Sequence, residues 1–188
     1  YNTSDNKRIK GVFMDWLSIK EFLLDTLKYI VTIILILFIV LYVVSITQVV
    51  GNSMYPTLKD GEVLILNKFI YNFKDIERED IISLRYADTK YLIKRVIGLP
   101  GEKIEIINNK LYINDKEYQE DYLKNNLKYK DFYLKDLGYD KIPKDMYLVL
   151  GDNRENSLDS RKIGLIKKSE INGKILLRMW PLNKIKFF

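Results

Sequence analysis

Three short stretches hold side chains able to do chemistry. The first, GNSMYPTL at residues 51–58, sets Ser53 in a turn bounded by glycine and proline. Gly51 lets backbone approach closely and Pro56 stiffens the exit, so together they can present a hydroxyl and nearby N–H groups to a ligand. A serine in such a turn is ordinarily just a turn residue. The second stretch, YLIKRVIGLPG at residues 91–101, reads as a strand. Strand alternation puts Leu92, Lys94 and Val96 on one face and Ile93, Arg95 and Ile97 on the other, one cation between two apolar neighbours on each. Arginine keeps its proton at any accessible pH, whereas burial disfavours the charged form of lysine, so only Lys94 could serve as a base. The competing reading sends both heads to the rim of the sheet with only their stems covered. The third stretch, GDNRENSLDSRKIG at residues 151–164, crowds Asp152, Asn153, Arg154, Glu155, Asn156, Ser157, Asp159, Ser160 and Arg161 together. It fails as a calcium loop, because Arg154 would take the third ligand position and no glycine follows at the sixth. A polar loop held by Asp–Arg pairs and hydroxyl-to-backbone bonds fits these residue types better. Such a loop could hold a lysine amine in place without itself reacting.

The composition narrows the chemistry further. The chain has no cysteine and no histidine. Disulfide frameworks, thiol nucleophiles, Cys/His zinc sites and every Ser-His or Cys-His pair are thereby excluded. Nucleophilic catalysis must then activate Ser, Thr or Lys with a lysine, a carboxylate or a terminal amine as base.

The elements that must position these residues are of two kinds. Between Lys28 and Lys59 no side chain carries a formal charge. Within this stretch Tyr29–Ile46 is apolar except for Thr32 and Ser45, and as a helix reaches roughly 27 Å, enough to cross a bilayer. No small-x-small exit follows it, which favours an uncleaved anchor over a signal peptide. Lys7, Arg8, Lys10, Lys20 and Lys28 precede the span, so the positive-inside rule places residues 1–28 in the cytoplasm and everything after Ile46 outside the plasma membrane. Residues 11–28 have the spacing of an interfacial helix.

Beyond the span the pattern changes to short Ile-, Val-, Leu- and Tyr-rich runs: 63–67, 80–86, 91–97, 103–107, 110–114, 146–150 and 174–180. Asn108-Asn109 and Asn114-Asp115 are candidate hairpin turns. The fold class expected is mainly β: an antiparallel β ectodomain with a small inserted subdomain, anchored by one N-terminal transmembrane helix. Residues 47–101 and 146–188 form the core and 102–145 the insertion, of which 115–145, rich in both charge signs, reads as a solvated excursion. The net charge of +6 is concentrated late: Glu170 is the one acid between Arg161 and Phe188. Outside a cell this basic, aromatic tail suits anionic lipid headgroups and not nucleic acid, unless it is only a solvated strand face.

Taken together the three stretches resemble the bacterial type I signal peptidases, membrane-bound serine proteases with a Ser-Lys dyad. NSMYPTL is similar to that family's nucleophile motif, REDIISLRY with KRVIGLPG to the strands carrying its base, and GDNRENSLDSR to its final signature. They occur in the family's order after a single span and cover most of the ectodomain except residues 102–145. The resemblance implies that Ser53 is the acylated nucleophile and Lys94 its general base. It implies that Ser157 hydrogen-bonds the lysine amine, that Asp159 and Arg161 form a supporting ion pair with Arg95 nearby, and that Gly51, Asn52 and Ser53 border the oxyanion. Some members place a hydroxyl residue where this chain has Gly51; the compact Gram-positive-type members resemble this chain instead. The resemblance implies no metal or other cofactor. Its implied partners are signal peptides of exported preproteins, cut after small-x-small sites, the lipid bilayer and the secretion translocon. A non-catalytic membrane-anchored β module binding preproteins or a scaffold partner is the alternative. A self-cleaving repressor-type Ser-Lys protease would want an internal pair such as Ala-Gly, whereas the single alanine, Ala87, precedes Asp88.

Overall fold

The computed structural model describes residues 3–87, 90–123 and 130–188, with side chains from residue 16 onward except at residue 40. The chain divides into two compact units, Tyr1–Val43 and Val44–Phe188.

The first unit is helix α1 (Thr3–Phe38), closed by a wider π turn over Ile39–Val43. The expected interfacial helix and span are therefore one continuous element. Trp16–Val43 is long and apolar enough to cross a membrane, about 42 Å at the α-helical rise, and none of its most apolar window is buried in the protein. Its two threonine hydroxyls are satisfied locally: Thr26 Oγ1 donates to Phe22 O and Thr32 Oγ1 to Lys28 O, each at 2.8 Å. An exposed helical stretch with no charged side chain from Tyr29 onward suits lipid as its solvent.

Among the described residues the second unit has twelve strands: β1 (Val44–Gln48), β2 (Val63–Asn67), β3 (Ile81–Ala87), β4 (Lys90–Gly98), β5 (Ile104–Ile107), β6 (Lys110–Ile113), β7 (Lys116–Tyr118), β8 (Phe132–Tyr133), β9 (Met146–Leu150), β10 (Ile166–Lys167), β11 (Ile171–Trp180) and β12 (Lys186–Phe187). One sheet has the order β1-β2-β11-β3-β4-β9-β10, with β12 added against β11; the other has the order β7-β6-β5-β8. All recorded pairings are antiparallel.

Two boundaries differ from the sequence expectation. Helical structure ends at Val43, and Val44, Ser45 and Ile46 pair in β1 with Asn67, Leu66 and Ile65. No charge or glycine marks this exit; the β-branched run Val43, Val44, Ile46, Thr47 suits a strand as well as a span. Residues 115–145, in turn, are not wholly a solvated excursion. Phe132, Leu134 and Ile142 are buried with Ile104, Ile106 and Leu111 in one cluster that also takes Ile97, Leu148 and Leu150 from the larger sheet. The insertion thus shares its core with the strands on either side of it. Both predicted hairpin turns formed, with Asn108, Asn109, Asn114 and Asp115 all at positive φ, as a two-residue type I′ turn requires.

Candidate active site

Gly51 has φ +82° and donates its N–H to Asp60 Oδ1 at 2.7 Å, so the chain enters the serine turn in a left-handed conformation suited to glycine. A single helical turn follows, with Leu58 N donating to Met54 O at 2.8 Å. Met54 and Leu58 are buried in the cluster formed by Val49, Leu64, Leu66, Ile81 and Ile175, which pins the turn to the sheet. Ser53 stands at its start, partly exposed.

Lys94 lies in the middle of β4, directly opposite Ile82 on β3, and is 1% exposed. Its Nζ is 2.8 Å from Ser53 Oγ and donates to Ile93 O at 2.8 Å. Burial strips the ammonium of water and lowers its pKa from 10.5 to about 8; the charges of Asp159 and Asp152 oppose that shift only in part. The rim-seeking alternative is therefore not what the fold does with this lysine. A neutral amine in contact with a hydroxyl is the arrangement by which a serine is activated without imidazole.

The 151–161 loop packs against this pair. Asn153 N donates to Ser53 O and its Nδ2 to Asn52 O, each at 3.0 Å. Asp159 accepts from Arg161 Nε at 2.9 Å, from Arg161 Nη2 at 2.8 Å and from Gly151 N at 3.1 Å. Burial alone would raise the Asp159 carboxyl, but Arg161 and the backbone donor outweigh it and hold its pKa below the usual range. Arg95 belongs to a second pair, donating to Asp152 Oδ1 at 2.9 Å and Oδ2 at 2.6 Å, with Thr57 Oγ1 at 3.4 Å. Ser157 is buried beside Gly151 and, among the described residues, its hydroxyl is not bonded to the Lys94 amine, so the bond expected there is not formed; the hydroxyl instead helps hold the Asp159 carboxyl in its charged form. The reason is local: the amine is turned toward Ser53 Oγ and Ile93 O. Among the described residues no group of three or more carboxylates is arranged to hold a metal ion.

The Signal peptidase, peptidase S26 family profile matches residues 23–180, which take in the later part of α1, the serine turn, β4 and the 151–161 loop. The chain belongs to the peptidase S26 signal peptidase family. It is 41% identical over 181 residues to signal peptidase IB of Staphylococcus aureus strain MRSA252, covering 89% of this chain and 95% of that protein. It is likewise 41% identical over 188 residues to signal peptidase I P of Bacillus subtilis subsp. natto, covering 96% of both. A crystal structure of a signal peptidase I from Enterococcus faecalis V583 shares 38% identity, covering 54% of this chain and 97% of that one, with a TM-score of 0.49. The chain is thus a serine endopeptidase of the signal peptidase class, and the one long apolar helix is consistent with a membrane anchor. Within this signal peptidase, Ser53 and Lys94 meet and Asp159 and Arg161 pair. Glu120 and Tyr122, which reach the same loop from the insertion, carry no local signature: their shared partner Arg154 lies more than thirty residues away.

Proposed function

We infer that Ser53 and Lys94 carry the peptidase reaction. Neutral Lys94 takes the Ser53 proton as Oγ attacks the scissile carbonyl; the peptide C–N bond then breaks as the Lys94 ammonium gives that proton to the leaving nitrogen, and a lysine-activated water hydrolyses the acyl-enzyme. Gly51 N–H is committed to Asp60, which leaves Ser53 N–H as the backbone donor to the oxyanion. Asp159 and Arg161 keep the 151–161 loop in place, and the buried Ser157 hydroxyl accepts a bond from the amine once it is charged. The observation that carries this reading is the 2.8 Å contact between a buried, desolvated amine and a serine hydroxyl.

The basic residues before the span support an orientation with residues 1–28 cytoplasmic and the catalytic unit outside. Trp180, Leu182, Ile185 and Phe187 are exposed among Lys184 and Lys186, which favours lipid contact over an inward-facing aromatic strand. The substrate is the signal peptide of a preprotein held in the same membrane. The test is incubation of the detergent-solubilised protein with a preprotein, followed by mapping of the new amino terminus. Wild type produces one new terminus after a small-x-small site and Ser53→Ala produces none; a preprotein cut equally by both would refute the assignment.

A further inference from the structure

The segment between β7 and β8 sends two side chains into the body of the protein that the mechanism above does not use. Arg154 is fully buried and Glu120 is 6% exposed, and they form a bidentate pair: Arg154 Nη1 donates to Glu120 Oε2 at 2.9 Å and Nη2 donates to Oε1. Tyr122 Oη donates to Glu120 Oε1. The Tyr122 ring also lies 3.9 Å from the guanidinium carbon of Arg95, the residue that holds Asp152. A buried ion pair is weak evidence for stability, because desolvation offsets most of its attraction; its better-attested use is to fix one arrangement among several.

Arg154 fixes more than Glu120. Its Nε donates to Gly151 O at 3.0 Å, while Gly151 N donates to Asp159, so both polar backbone groups of Gly151 are tied. Gly151 sits where no side chain fits: a Cβ there would fall 2.4 Å from Ser53 O and 2.2 Å from Ser157 Oγ. Two residues on, Asn153 holds the carbonyls of both Asn52 and Ser53. The Asn52 carbonyl and the Ser53 N–H share one planar peptide and point in opposite directions. Holding the carbonyl toward Asn153 therefore aims the N–H away from it.

We propose that Glu120 and Tyr122 are positioning residues for the peptidase reaction. Through Arg154 and Arg95 they hold the 151–154 segment, which in turn orients the Asn52–Ser53 peptide and its oxyanion-binding N–H. This rests on the assignment of Ser53 as nucleophile.

The test is steady-state cleavage of a signal-peptide-derived fluorogenic peptide by the full-length solubilised enzyme, with wild type and Ser53→Ala alongside. Turnover by wild type and silence of Ser53→Ala secure the underlying assignment; failure there overturns that assignment first and is visible before any other variant is read. Glu120→Gln lowers kcat about tenfold with KM within about twofold, and lowers Tm because the buried Arg154 guanidinium loses the carboxylate it pairs with. The double variant Glu120→Gln/Arg154→Met removes that charge and recovers Tm, but kcat stays low because Gly151 O has lost its donor. Tyr122→Phe keeps the ring on Arg95, loses the hydroxyl contact to Glu120, and lowers kcat about threefold at unchanged Tm. A kcat that recovers with Tm in the double variant, a Glu120→Gln enzyme with wild-type kcat, or losses confined to KM would each overturn the proposal.

Discussion

Lys94 and Arg95 are neighbours on one strand, both buried, and the fold treats them in opposite ways. Arg95 faces Asp152, which it meets with two parallel hydrogen bonds; burial works against its charge, but that partner outweighs burial and raises its pKa. Lys94 faces Ile82 across the strand pair, and its recorded hydrogen bonds go to a hydroxyl and a carbonyl, so burial wins and its pKa drops to about 8. One strand thus carries a fixed cation that braces the scaffold and a releasable proton that does chemistry. The alternation of side chains separates them. The difference also shows why the two residue types are not exchangeable: a guanidinium at position 94 would stay charged, and an ammonium at position 95 would lose the paired geometry.

The comparison can be broken at several points. Lys94→Met, and equally Lys94→Arg, should lower turnover of a preprotein by about 10³-fold or more while the far-UV spectrum is unchanged. An active Lys94→Arg enzyme would show that the two cations are equivalent after all. Asp152→Ala should leave Arg95 buried without its partner and lower unfolding free energy in denaturant by about 3–5 kcal/mol. A loss within experimental error would mean that the pair braces nothing.

Lys94→Met should do the reverse for stability. In wild type the folded pKa lies below the unfolded one, so the cost of burying the charge is fully present below pH 8, on the order of 3 kcal/mol. It is relieved as pH rises from 8 toward 10.5, because only the unfolded chain still holds the proton there. The variant should therefore unfold at higher temperature than wild type at pH 6, with the gap closing above pH 10. A variant less stable than wild type at pH 6 would show that the two hydrogen bonds of Lys94 outweigh its desolvation. The smallest effect is expected from Asp159→Asn. The Asp159 charge raises the Lys94 pKa, so its removal should move the midpoint of the kcat/KM profile to lower pH by a fraction of a unit.

Much of this was legible in the residues themselves. The strands at 63–67 and 146–150 begin and end where the apolar runs do, and the Asn-Asn and Asn-Asp pairs mark real hairpins, because alternation and turn chemistry are local properties. The serine turn and the lysine strand could each be singled out, but the residues alone left the bland readings open; only the approach of β4 to the turn decides between them, forty-one positions apart. What stayed hidden is non-local. The exit from the span passes from helix to strand through residues suited to both. The insertion reads as solvated because its few apolar residues are scattered among charges, yet Phe132, Leu134 and Ile142 are the ones that reach the core. Glu120 and Tyr122 look like surface residues until Arg154 and Arg95 come to meet them.

The most direct test of the account is the pH dependence of kcat/KM for the solubilised enzyme on a signal-peptide-derived peptide, which reports the ionisation of the free enzyme's base. A neutral amine as base predicts activity rising with pH through a midpoint near 8, the value that burial imposes on Lys94. A midpoint at the ordinary lysine value near 10.5, or a profile flat from pH 6 to 10, would contradict it.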